Sequence, residues 1–459
     1  MIYDPSIFRA YDVRGIYPGQ MNEKVAYAAG QAFVQVMGAK RVLVGRDVRS
    51  TGPSLQAAAI EGIRDAGATA IDIGVISTEM LYFASATLDC DGGLSITASH
   101  NPAEWNGFKC VSKNGIPLTR DEKLGEIYDF IQSSRSIEQF EKGKLETVDL
   151  LPAYSEYLHK FLPADLPMLS IVANVNFGAN GKVVDAAVAP LTELTVSRLN
   201  WNEDGTFPKG PPDPMQAKNR AELCQQIIDE GADFGVAWDA DADRCFLYDE
   251  KGRWFHGYYI SAFLVKHFLE ENPGATAVVE RRLAWANIDA AKEAGGKTEY
   301  SLTGHGFFKR TMREFDAVFG AETSGHFYFK DFWYCDNGML TFLTALKIFG
   351  KHIKGGGTVS DLLDYYLEHY PISGELNFTT DMGKEIIKKA TTKYSDAKQD
   401  LADGISAEYP DWRLNLRLSN GEPLMRMNLE ARSQEKLKEA QDELMQFLTA
   451  EGAQLRNEH

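Results

Sequence analysis

The chain has 459 residues, 44% hydrophobic and 11% aromatic, which is ample material for several cores, and a length that suggests three or four domains. Its formal charge of -17 argues against wrapping nucleic acid, because neutralising phosphates needs a basic face, so positive charge for an anionic ligand must be concentrated locally. The longest apolar stretches, VVDAAVAPL and YYISAFLV, fall short of the roughly 18 residues of a membrane span, and residues 1–11 carry no signal-peptide pattern. A soluble, untargeted protein is expected. Cys90, Cys110, Cys224, Cys245 and Cys335 are scattered without C-x-x-C spacing and fit a reducing cytoplasm.

Short β-branched runs alternate with amphipathic helical stretches: RVLVG (41–45), a helix over 54–66, TAIDIGV (69–75) and LSITAS (94–99). That rhythm predicts βαβ architecture. It restarts at LSIVANV (169–175) and DFGVAW (233–238), and again at TAVVE (276–280) and AVFGAE (317–322). Residues 133–149 read as a linker or solvated helix end, and 371–374 separate a last piece with extended runs RLNLRLSN and LMRMNLEAR around an NGEP turn, then a helix over 433–449. The expectation is an α/β protein: three related α/β domains with mixed sheets (1–150, 151–252 and 253–368) and a C-terminal α+β domain (369–459).

Four motifs can carry chemistry. TASHNP places Ser99, His100 and a turn at a strand end, where ligands bind in doubly wound sheets, although Ser99 could equally be a turn or cap residue before Pro102. In AWDADADRCF an extended backbone would put Asp239, Asp241 and Asp243 on one side, and hard oxygen ligands open on one side suit magnesium and phosphoryl chemistry. A solvated acidic turn is the bland alternative. An EF-hand calcium loop is excluded by Arg244, which stands where that loop needs glycine, and by strand-like flanks. The loop GAETSGH offers Glu322, Ser324 and His326 to sugar hydroxyls, or else starts a helix with Ser324 as its cap. RLSNGEP with Arg426 can cradle a phosphate, or be an ordinary Asn-Gly hairpin turn.

Taken in order, FRAYDVRG (8–15), TASHNP, DADADR, ETSGH and RLSNGEP resemble the α-D-phosphohexomutase superfamily along almost the whole chain. EKGRWFHGYYI, FWYCDNGM and DWRLNLRLSN are most similar to its bacterial phosphomannomutase branch, which serves GDP-mannose synthesis. The resemblance implies four domains around a central cleft, the last closing like a lid. It implies a cytoplasmic isomerase that interconverts mannose 1-phosphate and mannose 6-phosphate, with Mg2+ and a hexose 1,6-bisphosphate activator, working as a monomer or homodimer on small hexose phosphates without nucleic-acid or membrane partners.

By the same resemblance Ser99 carries the phosphoryl group, and a phosphate oxygen on Ser99 joins Asp239, Asp241 and Asp243 around the metal. Arg14, Lys109, Arg244 and His100 serve the transfer, with His305 as general acid/base. Tyr11, Glu322, Ser324 and His326 hold the sugar, and Arg417, Ser419, Asn420, Gly421 and Arg426 take the phosphate that is not transferred. Three departures stand out: Ala240 and Ala242 where the family often has glycine, Gly421 where threonine is common, and AETSGH where GEMSGH is frequent. The rival readings are a phosphoglucomutase or dual-specificity enzyme, a catalytically silent sugar-phosphate binder, and a phosphatase.

Overall fold

The computed structural model describes residues 4–133, 140–419 and 424–456. Four sheets follow one another along the chain. The first has seven strands, with Val13–Ile16, Trp105–Ser112, Gly92–Ile96, Arg41–Arg46, Thr69–Val75 and Leu145–Thr147 in spatial order and Ile116–Pro117 beside Trp105–Ser112. Its parallel pairs need helical crossovers, supplied by Gly52–Asp65 and Thr78–Thr87, while Trp105–Ser112 runs antiparallel to both neighbours. Two helices on one face, Glu23–Met37 and Gly52–Asp65, approach backbone to backbone. A Cβ at Gly30 would stand 2.3 Å from the Ala59 carbonyl, and one at Gly62 would stand 2.1 Å from that of Tyr27, so both positions require glycine.

The second sheet orders Cys245–Asp249, Phe234–Trp238, Leu169–Asn174 and Leu194–Leu199. The third orders Lys297–Ser301, Thr276–Glu280, Phe319–Ala321, Phe327–Phe329 and Cys335–Asp336. Both mix parallel and antiparallel pairs. The fourth is antiparallel throughout, with Trp412–Leu418, Leu424–Ala431 and Ile372–Thr379 at its centre and the helices Gly383–Lys393 and Gln434–Ala450 beside it. Three α/β units and one α+β unit therefore make up the chain.

Two expectations need correction. The run LSITAS is strand only to Ile96, which frees Thr97, Ala98 and Ser99 to turn. Within 133–149, Leu145–Thr147 is an edge strand paired with Ala70, Ile71 and Asp72, because its backbone groups complete an otherwise open sheet edge.

One apolar core runs from Leu43 and Tyr82 through Phe234 and Trp238 to Phe342 and Phe349, fusing the second and third units to a face of the first. The fourth unit has its own core around Phe378, Leu414, Met427 and Leu444. A buried polar knot fastens it to the third. Glu430 accepts the N–H groups of Ala284 (2.8 Å) and Trp285 (3.0 Å), Arg413 Nη1 (3.0 Å) and the Tyr258 hydroxyl, while Arg413 Nη1 also donates to the Arg282 carbonyl (3.0 Å). No helix among the described residues is long and apolar enough to cross a membrane, and all five cysteines are free.

Candidate active site

Ser99 is buried, and its φ of 50° lies in the left-handed region that a serine rarely occupies. What holds it there is Arg49, a fully buried arginine that the sequence reading did not single out. Its Nη2 donates to the carbonyls of Ser99 (2.7 Å) and Asn101 (2.6 Å), and its Nη1 donates to those of Pro102 (2.6 Å) and Trp105 (2.9 Å). Asp47 balances its charge at 3.2 Å, and the Phe207 ring covers the guanidinium at 5.0 Å. The Ser99 hydroxyl donates to Asp239 Oδ2 at 2.8 Å and lies 3.2 Å from His100 Nδ1. Arg14 reaches the same loop, donating to Asn101 Oδ1 at 2.8 Å, and pairs with Asp12 at 2.7 Å.

Asp239, Asp241 and Asp243 do converge, but not through an extended backbone. The strand ends at Trp238, and the carboxylates sit on a tight turn with Ala242 at φ 57°, their ligand atoms within 4.8 Å of one another. The first unit supplies their partners. Lys109 Nζ donates to Asp241 Oδ2 at 2.8 Å and also to Asp243, and the Thr78 hydroxyl donates to Asp241 at 2.7 Å. Burial and the charges of Asp241 and Asp243 push Asp239 well above the carboxylate range. Burial alone would raise Asp241 too, yet the Lys109 ammonium outweighs it and holds Asp241 low. Lys109, buried between two anions, is correspondingly raised. Asp241 Oδ1 and Asp243 Oδ1 are buried and make no hydrogen bond among the described residues, which fits a divalent cation with hard oxygen ligands.

The loop from Glu322 to His326 is a turn between the strands Phe319–Ala321 and Phe327–Phe329, so Ser324 caps no helix. Gly325 takes φ 92°, and a Cβ there would press on the Phe246 ring at 2.6 Å. Glu322 accepts the Tyr328 hydroxyl (3.0 Å), and Ser324 Oγ is buried and makes no hydrogen bond among the described residues. His326 receives Arg244 Nε on its Nε2 (3.1 Å) and turns Nδ1 to Asp336 (2.8 Å), which is paired in turn with the buried Lys309 (2.7 Å). His305 begins the helix His305–Glu314 and packs its ring on Tyr11 with centroids 4.3 Å apart. Both its ring nitrogens are buried and make no hydrogen bond among the described residues, and burial together with the Lys309 charge puts its pKa well below the ordinary value.

In the fourth unit Arg417 and Arg426 converge on Glu375, at 3.4 and 2.9 Å, where Arg282 from the third unit joins them at 2.9 Å. Burial would raise Glu375, but these three guanidiniums outweigh it and bring its pKa down to about 2. Ser419 ends the strand, its N–H donating to the Leu424 carbonyl at 2.8 Å. Asn420 and Gly421, with the NGEP turn, lie outside the described residues.

One cavity of about 290 Å³ connects these groups. Ser99, His100, Lys109, Arg14 and Tyr11 line it from the first unit and Arg244 from the second. The third unit contributes His305, Glu322, Ser324 and His326, and the fourth contributes Arg417 and Arg426. The three aspartates are fully buried, and Ser419 is not in the lining. Asp213, Met215, His256, Arg282, Glu375 and Asn428 also line it and were missed. Arg282 had a usable signal, since it follows the C-terminal end of the strand Thr276–Glu280, where ligands bind in α/β sheets.

Four domain families match the chain, described as "Phosphoglucomutase/phosphomannomutase, alpha/beta/alpha domain I" over residues 5–138, domain II over 153–252, domain III over 256–370 and the "C-terminal domain" over 376–447. The chain is 38% identical over 442 residues to a protein of Escherichia coli (strain K12) named "Phosphomannomutase", covering 94% of this chain and 96% of that one. A crystal structure of a "Phosphoglucomutase/phosphomannomutase family protein" from Burkholderia thailandensis superposes with a TM-score of 0.89 at 29% identity, covering 99% of this chain and 100% of that one. The Aspergillus fumigatus N-acetylphosphoglucosamine mutase structure with GlcNAc-6P and magnesium shares the fold, with a TM-score of 0.61 at 15% identity, covering 97% and 96%. The chain is an enzyme, an isomerase of the phosphohexomutase class. It belongs to the phosphoglucomutase/phosphomannomutase family.

Proposed function

We propose that this enzyme interconverts mannose 1-phosphate and mannose 6-phosphate through a phosphoserine at Ser99 and a hexose 1,6-bisphosphate intermediate, feeding GDP-mannose synthesis in the cytoplasm. The observation that carries the mechanism is the Ser99 hydroxyl, 2.8 Å from Asp239, in the lining of a cavity that Arg282, Arg417 and Arg426 also line. The name of the Escherichia coli relative supports the mannose assignment.

Asp239, Asp241, Asp243 and a phosphate oxygen on Ser99 would hold Mg2+. A bound magnesium ion there supplies neutralisation of charge on the phosphoryl group. The chain's own residues do the rest. Arg14, Lys109 and Arg244 add fixed positive charge around the transfer, where burial strengthens each interaction. His305, whose ring nitrogens make no hydrogen bond among the described residues, accepts the proton of the sugar hydroxyl as it takes the phosphoryl group and returns it on the reverse leg. Glu322, Ser324 and His326 grip the sugar hydroxyls in both orientations of the bisphosphate. The arginine end, with Ser419, Asn420 and Gly421, anchors whichever phosphate is not moving, and the separately cored fourth unit closes over it to exclude water.

The test follows 6-phosphate formation from mannose 1-phosphate and glucose 1-phosphate in parallel, with Mg2+ and trace glucose 1,6-bisphosphate. Turnover lost in Ser99→Ala, with a higher kcat/KM for mannose, is the expected result. Equal or greater efficiency on glucose 1-phosphate would replace the mannose assignment with dual or glucose specificity. Phosphate release without isomer formation would make the protein a phosphatase.

A further inference from the structure

His256 has no part in the scheme above, yet it lines the same cavity as Arg417, Arg426 and Asn428. It is the residue before the helix Gly257–Glu271, and its Nδ1 accepts the Tyr258 N–H at 3.2 Å. A ring nitrogen that accepts a hydrogen bond carries no proton, so the neutral imidazole must hold its proton on Nε2. Burial and the Arg282 guanidinium, together with Arg220 and against Glu375, bring the ring's pKa down to about 4, so it is neutral at pH 7.

Its position is fixed from two sides. The Trp254 ring meets it edge-on at 5.3 Å, and Gly257 holds the helix start against the sugar loop so closely that a Cβ would lie 2.2 Å from the Thr323 carbonyl. Helix capping therefore does more than end a helix. It sets the tautomer, so that a residue lining the same cavity as Arg282, Arg417 and Arg426 carries its ring proton on Nε2. A neutral donor adds a directed hydrogen bond for an anion without adding charge to a site where three guanidiniums already surround Glu375.

We propose that His256 is a substrate-binding residue whose Nε2–H donates to an oxygen of the phosphate anchored by Arg282, Arg417 and Arg426. The inference rests on the proposed function for the identity of that phosphate. Because either substrate orientation presents its stationary phosphate to the same anchor, the contact serves both isomers equally.

The two roles of the ring separate by substitution. His256→Asn keeps an acceptor near Nδ1, and asparagine is a favoured helix cap, but it lacks the distal donor. His256→Ser does the same if the first variant folds poorly. His256→Gln returns an N–H near the place of Nε2. Calorimetric binding of mannose 1-phosphate, mannose 6-phosphate and inorganic phosphate is measured in the full chain carrying Ser99→Ala, which prevents turnover. His256→Asn is expected to weaken both hexose phosphates about tenfold or more, as loss of a hydrogen bond to a charged group does, with melting unchanged. His256→Gln is expected to recover most of the loss.

Binding by His256→Asn or His256→Ser equal to that of the parent would leave His256 a cap alone and overturn the inference. Loss for one isomer only would place the contact on a sugar hydroxyl and overturn the phosphate assignment. If the parent binds neither hexose phosphate, the proposed function falls. Inorganic phosphate then decides for His256 by itself: weaker binding in His256→Asn sustains the donor role, and equal binding ends it.

Discussion

Arg49→Met keeps much of the side-chain volume at a position with no solvent exposure while removing the guanidinium beneath the Ser99 loop. Four carbonyls, those of Ser99, Asn101, Pro102 and Trp105, lose the guanidinium, Pro102 keeping the Trp105 N–H (3.1 Å), and among the described residues Asp47 keeps Thr97 Oγ1 (2.7 Å) and the residue 49 N–H (2.9 Å). Breaking a buried ion pair by removing one partner costs about 3–5 kcal/mol. The carbonyl losses overlap with that figure, because the same guanidinium makes every contact and water can enter, so the lower value, about 3 kcal/mol, is the working number. It corresponds to a fall of roughly 10 °C in the transition of the first α/β unit, read as the earliest transition by differential scanning calorimetry, since a protein of several units need not melt in one step. Release of the positive φ at Ser99 also displaces the hydroxyl on which the proposed mechanism depends, so kcat is expected to fall at least about tenfold with KM little changed. A first transition within about 2 °C of the parent, with kcat intact, would show that the loop holds its shape without Arg49 and refute the reasoning.

Glu79 provides a pH test at a residue that does not line the cavity. It is fully buried against the start of the helix Gly338–Lys354, accepting the Met339 N–H at 3.3 Å, and burial raises its carboxyl to about 8 from an ordinary 4.5. A raised acid confers its full stability below the ordinary value and loses it as pH rises through about 8, at up to about 1.4 kcal/mol per pH unit. Glu79→Gln should melt like the parent at pH 4.5 and clearly above it at pH 8.5, and equal melting at both values would exclude a titrating Glu79. For the cation, millimolar Mg2+ is expected to raise the melting temperature and chelation to reverse it, with the response lost in Asp241→Asn, whereas an unaltered melt in the parent would leave the aspartates without a metal.

The sheet-forming runs were legible because their signals are local. TAVVE is the strand Thr276–Glu280, TAIDIGV is Thr69–Val75, and the helix expected over 433–449 spans Gln434–Ala450, its N-terminus capped by the Ser433 side chain, which accepts the Lys436 N–H. The clustering of the aspartates was legible from their charges and spacing, while the backbone reason offered for it was wrong: the carboxylates converge because the chain turns at Ala242, and a left-handed alanine leaves no periodic mark. Arg49 and Glu375 stayed hidden for another reason. Each is one charged residue in an ordinary polar stretch, and its significance comes from partners about 50 residues away, Ser99 for the first and Arg417 and Arg426 for the second. His256 was read only as part of a resemblance, since a histidine before a helix gives no hint in sequence of which nitrogen is occupied.

The aspartates of the second unit take their hydrogen-bond donors from the first: Lys109 from a strand, Thr78 from a helix start, and Thr97 from the Ser99 loop at 3.1 Å from Asp241. Part of the seam between the two units and the proposed metal site thus share the same atoms. In a saturation library this seam should behave unlike an ordinary inter-unit contact. Conservative changes at Thr78 or Thr97, neither of which lines the cavity, would score as severely as changes at Ser99, so a tolerance map would draw the sensitive region wider than the cavity itself.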